Sequence, residues 1–185
     1  MCSACTSTAC GPPCSTTTDR TRGTSIIFPL GKNPVVRRRR DGRFDLVLDP
    51  GLRTVVRDLL GELDELIAAD PGAEDLRRLN PPAYLDDPER DAAYRLLAGD
   101  ELLTARHATI DAVLSTLDEE RLTEDQLWSW LQAINALRLV VGTRLDISED
   151  DHRIEVADDD PAAPMWAIYE FGTWLQYQVL RALGA

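Results

Sequence analysis

The sequence predicts a mainly α-helical fold: an N-terminal β-hairpin packed on a bundle of five or six helices, preceded by a flexible, cysteine-rich tail. Three observations lead there. From residue 50 onward, apolar side chains recur every three or four positions through most of the chain, a spacing that lines them along one face of a helix. Just before that stretch, Asp41-Gly42 separates two short segments, as the turn of a hairpin does. Ahead of both, all four cysteines (Cys2, Cys5, Cys10 and Cys14) fall within the first fourteen of 185 residues.

Residues 1–34 read as a mostly irregular tail, dominated by Ser, Thr, Cys, Gly and Pro and short of apolar surface to bury. Within it, Ile26, Ile27 and Phe28 form a small apolar patch suited to docking on the body. Residues 35–185 read as a single globular domain, with the hairpin over 35–48 and the helical bundle over 50–183. Segments 35–40 and 43–48 flank Asp41-Gly42, a dipeptide that favours a two-residue turn. Phe44, Leu46 and Leu48 alternate with Arg43, Asp45 and Val47, so one hairpin face packs inward.

Helix signals follow in order. Asp49-Pro50 supplies a cap and a proline for the first turn. Leu52, Val55, Val56, Leu59, Leu60, Leu63, Leu66 and Ile67 continue the helix until Asp70-Pro71-Gly72 stops it. A short helical piece is expected over 74–79, ended by Asn80-Pro81-Pro82. Asp87-Pro88 opens another helix, with Tyr94, Leu96 and Leu97 as inward positions, and Gly99 breaks or kinks it before a segment over 101–117. Thr123 and Gln126 have capping-box spacing and start a strongly apolar helix that ends near Gly142. Residues 147–164 read as an acidic surface loop, and the last helix covers 162–183.

Charge divides the chain. Residues 1–44 hold eight basic and two acidic side chains, a net of +6, whereas residues 45–185 hold 12 basic and 30 acidic, a net of −18. Extensive DNA binding rests on neutralising phosphates, so an acidic body points away from it. The run Arg37, Arg38, Arg39 and Arg40 remains a candidate contact for a phosphate backbone or an acidic protein face. The alternative is a solvated edge strand whose charges block sheet-to-sheet association. No apolar run approaches the roughly 20 residues that span a bilayer, and no signal peptide is recognisable; a cytoplasmic protein is expected.

Catalytic chemistry finds little support. The two histidines, His107 and His152, belong to no HExxH or other metal-ligand spacing. The acidic loop lacks any glycine between residues 143 and 171, which excludes an EF-hand. No phosphate-cradling glycine loop or nucleophile elbow is present, and no enzyme is expected. Among four tryptophans, Trp128 shares three-residue spacing with Leu131 and reads as core. Trp130 is offset to another face and is the candidate partner anchor.

The cysteines remain. Cys2 and Cys5 form a CxxC, and Cys10-Gly-Pro-Pro-Cys14 a CxxxC whose insert favours a turn. Reversible oxidation within either pair, a zinc knuckle on all four, an iron–sulfur site and an inert tail are all open on spacing alone.

Four segments carry a resemblance: RRRRDGRFDLVLDP, LRRLNPPAYLDDPERDAAYRLL, TLDEERLTEDQLWSWLQAINALRLVVGTRLDI and APMWAIYEFGTWLQ. Together they resemble an actinobacterial domain-of-unknown-function family that includes the oxidative-stress regulator AosR and is often encoded beside the Clp-protease N-degron adaptor. The resemblance implies a redox-responsive transcriptional regulator. Such a protein senses oxidants through an intramolecular disulfide, Cys10 with Cys14 here and Cys2 with Cys5 as second candidate pair, and binds a stress sigma factor or RNA polymerase. The alternative is a zinc-knuckle or Clp-linked interaction module without redox sensing.

Overall fold

The structure, a computed structural model, describes residues 34–148, 157 and 159–184. Its elements run β1 (Val36–Arg38), β2 (Phe44–Leu46), α1 (Pro50–Ala69), a 3-10 turn (Glu74–Leu76), α2 (Pro88–Thr116), β3 (Arg121–Leu122), α3 (Glu124–Arg144) and α4 (Ala163–Leu183). The mainly helical class and the leading hairpin are as expected. The helix count is not: four α-helices stand among the described residues where five or six were predicted. Gly99 fails to break α2, because one glycine inside a helix costs only about 1 kcal/mol relative to alanine and the helix runs on for 29 residues. The piece near residue 74 closes only a 3-10 turn, with Leu76 buried under it.

Helix starts follow the caps read from the sequence. Asp49 accepts from the Leu52 N–H at 3.0 Å, with Pro50 in the first turn. Asp87 accepts from the Arg90 N–H at 3.0 Å, ahead of Pro88. Thr123 and Gln126 close a reciprocal capping box, at 3.2 Å to the Gln126 N–H and 2.8 Å from the Thr123 N–H. Each such cap satisfies a backbone donor the helix leaves open, worth about 1 kcal/mol.

The hairpin turn has one residue more than predicted. Arg39 N–H donates to the Arg43 carbonyl at 2.8 Å, so Arg40, Asp41 and Gly42 form a three-residue loop. Gly42 closes it with φ +81°, the left-handed position such loops require. β2 pairs on its other edge with β3, Phe44 opposite Leu122 and Asp45 opposite Arg121. A two-residue strand is too short to show alternation, so the sequence did not reveal it.

Phe44, Leu46 and Leu48 all point inward, as their alternation predicted, and Val36 joins them. They cover a core built from Leu60, Leu63 and Ile67 of α1, Ile110 and Val113 of α2, and Phe171, Leu175 and Val179 of α4. At the centre, α3 contributes Leu127, Trp130, Ile134, Leu137 and Val141 and packs on both α2 and α4. Burying each large apolar side chain contributes about 1.5–3 kcal/mol.

One core expectation is overturned. Tyr94, Leu96 and Leu97 were predicted to face inward, yet they are 40%, 86% and 86% exposed. The cause is length: at 1.5 Å per residue α2 extends about 43 Å, outrunning α1 and α3, and only its later part packs on the bundle.

Candidate functional site

The four cysteines all lie outside the described residues, as do His152 and the apolar patch of Ile26, Ile27 and Phe28. Among the described residues, no three His, Cys, Asp or Glu side chains gather where they could hold a metal ion. The redox and zinc readings both rest on the four cysteines of the tail.

The arginine run, by contrast, is placed. Val36 anchors β1 in the core, while Arg37, Arg38, Arg39 and Arg40 are exposed along the strand and its turn. Strand register puts Arg37 opposite Asp45, and Asp45 opposite Arg121 on β3. Asp45 thus stands between two arginines and takes a third: the Arg39 Nε–H is shared between its carboxylate oxygens at 2.7 and 2.8 Å. That hydrogen bond first, and the carboxylate's charge second, hold the Arg39 guanidinium above its ordinary pKa. Arg121 approaches the same carboxylate at 3.8 Å. Arg37 donates to the Pro34 carbonyl at 3.3 Å, and the Arg38 guanidinium sits 5.9 Å from the Phe44 ring centroid. The outcome is a small basic sheet face whose single central carboxylate fixes arginine positions without neutralising them all. Such a face suits an acidic protein surface or a phosphate, and on β1, an edge of the sheet, it also discourages strand addition.

Trp130 is not the partner anchor that its offset suggested. It is fully buried, and its indole N–H donates to the Thr116 hydroxyl at 3.1 Å. The true inward stripe of α3 is 127, 130, 134, 137 and 141, alternating steps of three and four; pairing Trp128 with Leu131 selected the neighbouring face. Trp128 is 43% exposed, so the surface tryptophan is the one read as core.

Sequence reasoning missed Arg121 and Arg106, while His107 stands at the boundary its position suggested. Arg121 joins the basic face only through β3, which it helps to form. His107 lies at the bundle boundary, its Nδ1 2.5 Å from Asp64 Oδ1, tying α2 to α1. Arg106, one residue earlier, lines a cavity beside the loop that follows the 3-10 turn. The only signal for it was an arginine among apolar neighbours, and that pattern has many causes.

A family model described as a domain of unknown function, DUF2017, matches residues 33–183. The chain belongs to the DUF2017 family. Proteins named oxidative stress regulator AosR from Mycobacterium tuberculosis and Mycobacterium bovis are each 31% identical to it over 136 residues, covering 64% of this chain and 62% of theirs. A putative oxidative stress regulator AosR from Mycobacterium leprae is 27% identical over 161 residues, covering 85% of this chain and 69% of that protein. The chain thus spans less than two thirds of the length of the first two relatives. No solved structure matches. The DUF2017 match takes in the hairpin and every helix among the described residues, and it begins after the last cysteine, Cys14.

Proposed function

We propose that this chain is a redox-responsive transcriptional regulator that acts by binding and catalyses no reaction. The observation that carries the reading is its similarity to DUF2017 relatives named as oxidative stress regulators. The four thiols crowded before the DUF2017 body supply a chemistry able to register an oxidant.

The switch is a pair of steps. The Cys10 thiolate attacks a hydroperoxide; its sulfur is oxidised to a sulfenic acid while the peroxide O–O bond breaks and the peroxide is reduced to water or an alcohol. Cys14 then attacks that sulfur, the S–S bond forms, and the sulfenic oxygen leaves as water. Cys2 and Cys5 are the second candidate pair for the same chemistry.

Output is binding to a stress sigma factor or RNA polymerase. The basic face around Arg37, Arg40 and Arg121 and the exposed Trp128 are the proposed contacts, since an arginine cluster and a surface tryptophan are frequent interface anchors. The strongly acidic remainder supports a protein partner over a long DNA groove.

A binding assay with purified RNA polymerase, with and without its stress sigma factors, tests the reading on reduced and peroxide-treated protein. Oxidation is expected to change affinity, and changing Cys10 and Cys14 to serine to remove that change. Equal binding by both forms, or a serine variant that still responds to peroxide, overturns the switch.

A further inference from the structure

A cavity of about 450 Å³ lies between the end of α1, the loop after the 3-10 turn and the middle of α2, within the roughly 300–1,000 Å³ typical of small-ligand sites. Its walls are largely apolar: Ile67, Leu79, Pro81, Tyr94, Leu102 and Leu103. The polar groups in it are few, and they are unequal in charge. Asp91, only 8% exposed, has its carboxylate fully engaged. One oxygen accepts from the backbone N–H groups of Ala83 and Tyr84 at 2.7 and 3.3 Å, and the other takes the Arg95 Nε–H at 2.8 Å. Arg106 has no such partner. It donates to the Leu79 carbonyl at 2.6 Å, and among the described residues no carboxylate lies within ion-pair distance of it. Two guanidiniums therefore line the cavity against one occupied carboxylate.

Arg106 is also partly buried. A second cavity of about 190 Å³ shares Ile67, Leu79 and Arg106 with the first. Burial pushes its guanidinium below the ordinary arginine value. A cation held between apolar walls without a counter-ion gains more from an anionic ligand than a solvated one does, and the planar guanidinium matches a carboxylate in shape. Tyr94, which lines the cavity, meets Tyr84 edge-on at 6.2 Å, and Arg90 in turn stacks on Tyr84 at 4.2 Å. Tyr94 and Leu102, both partly exposed, line this cavity.

We propose that this cavity binds a small apolar carboxylic acid, with the carboxylate on Arg106 and the apolar body along Leu79, Leu103 and Tyr94. The proposal stands apart from the cysteine switch and does not need it.

The test is an NMR titration of the full reduced chain with octanoate and 3-phenylpropionate, each against its primary amide as a neutral control of the same shape. Saturable shifts are expected at backbone amides around the cavity, such as Gly72, Ala83 and Gly99. The acids should bind at least about tenfold more tightly than the amides, the difference that one charged hydrogen-bonded pair supplies. Arg106→Gln should remove that preference, and Leu103→Trp, which fills the cavity, should weaken acid and amide alike. Equal binding of acid and amide, shifts that map elsewhere, or no saturation up to about millimolar ligand overturns the proposal. The acid-against-amide comparison on the unaltered chain decides the matter even where a variant fails to fold.

Discussion

Trp130 donates its indole N–H to the Thr116 hydroxyl across the α3–α2 interface at 3.1 Å, with both side chains buried. The same hydroxyl donates onward to the Ala112 carbonyl at 2.7 Å, so both polar atoms are satisfied inside the core. Thr116→Val should strand the indole N–H and lower stability by about 1–3 kcal/mol. Trp130→Ala should cost about 3–5 kcal/mol, whereas Trp128→Ala should stay within about 0.5 kcal/mol. Urea unfolding of the three variants checks the order; a Trp128 change costing more than the Thr116 change contradicts this packing.

The two tryptophans show where sequence reading succeeds and where it stops. Caps act through bonds three residues apart, so Asp49, Asp87, Thr123 and Gln126 announced helix starts correctly. The alternation of Phe44, Leu46 and Leu48 likewise named the buried hairpin face. Trp128 and Trp130 were exchanged because α3 is apolar on more than one face, and only its neighbours decide which face is covered. Leu96 and Leu97 misled for a similar reason: helical spacing says nothing about whether a partner helix is long enough to reach them. Of the candidate site, the arginine run was legible. Its central carboxylate pairing with Arg121 depends on a strand contact 76 residues away in sequence. Arg106 drew no attention, because its meaning lies in the cavity and not in its neighbours along the chain.

Gly172 on α4 allows α3 to approach closely. A β-carbon built there would lie 2.8 Å from Arg138 Cγ, near the root of a side chain that is already committed. Arg138 donates to Thr173 at 3.0 Å and to Tyr169 at 3.3 Å, bonds Gln176 as well, and lies over the Tyr169 ring at 5.0 Å. Alanine gains up to about 1 kcal/mol in helix propensity, but overpacking costs about 1–3 kcal/mol. Gly172→Ala is therefore expected to lower the thermal midpoint, and calorimetry reads it. A raised midpoint means the Arg138 network rearranges freely.

Asp45 sets the charge of the basic sheet face. Asp45→Asn should make the protein elute later from heparin, and Arg40→Ala with Arg43→Ala earlier, because ionic retention follows the count of uncompensated cations. All the shifts should shrink as salt rises. Unchanged elution in these variants removes the face as a contact for anions.

The central claim is most directly tested by mass-mapping the four thiols before and after mild peroxide, with zinc and iron measured on the same reduced protein. Metal-free reduced protein is expected, in which peroxide forms a Cys10–Cys14 bridge, or a Cys2–Cys5 bridge, that a thiol reductant reopens. Four free thiols after peroxide, or one equivalent of metal shielding all of them, contradicts it, and the second result turns the tail into a metal-ordered interaction arm.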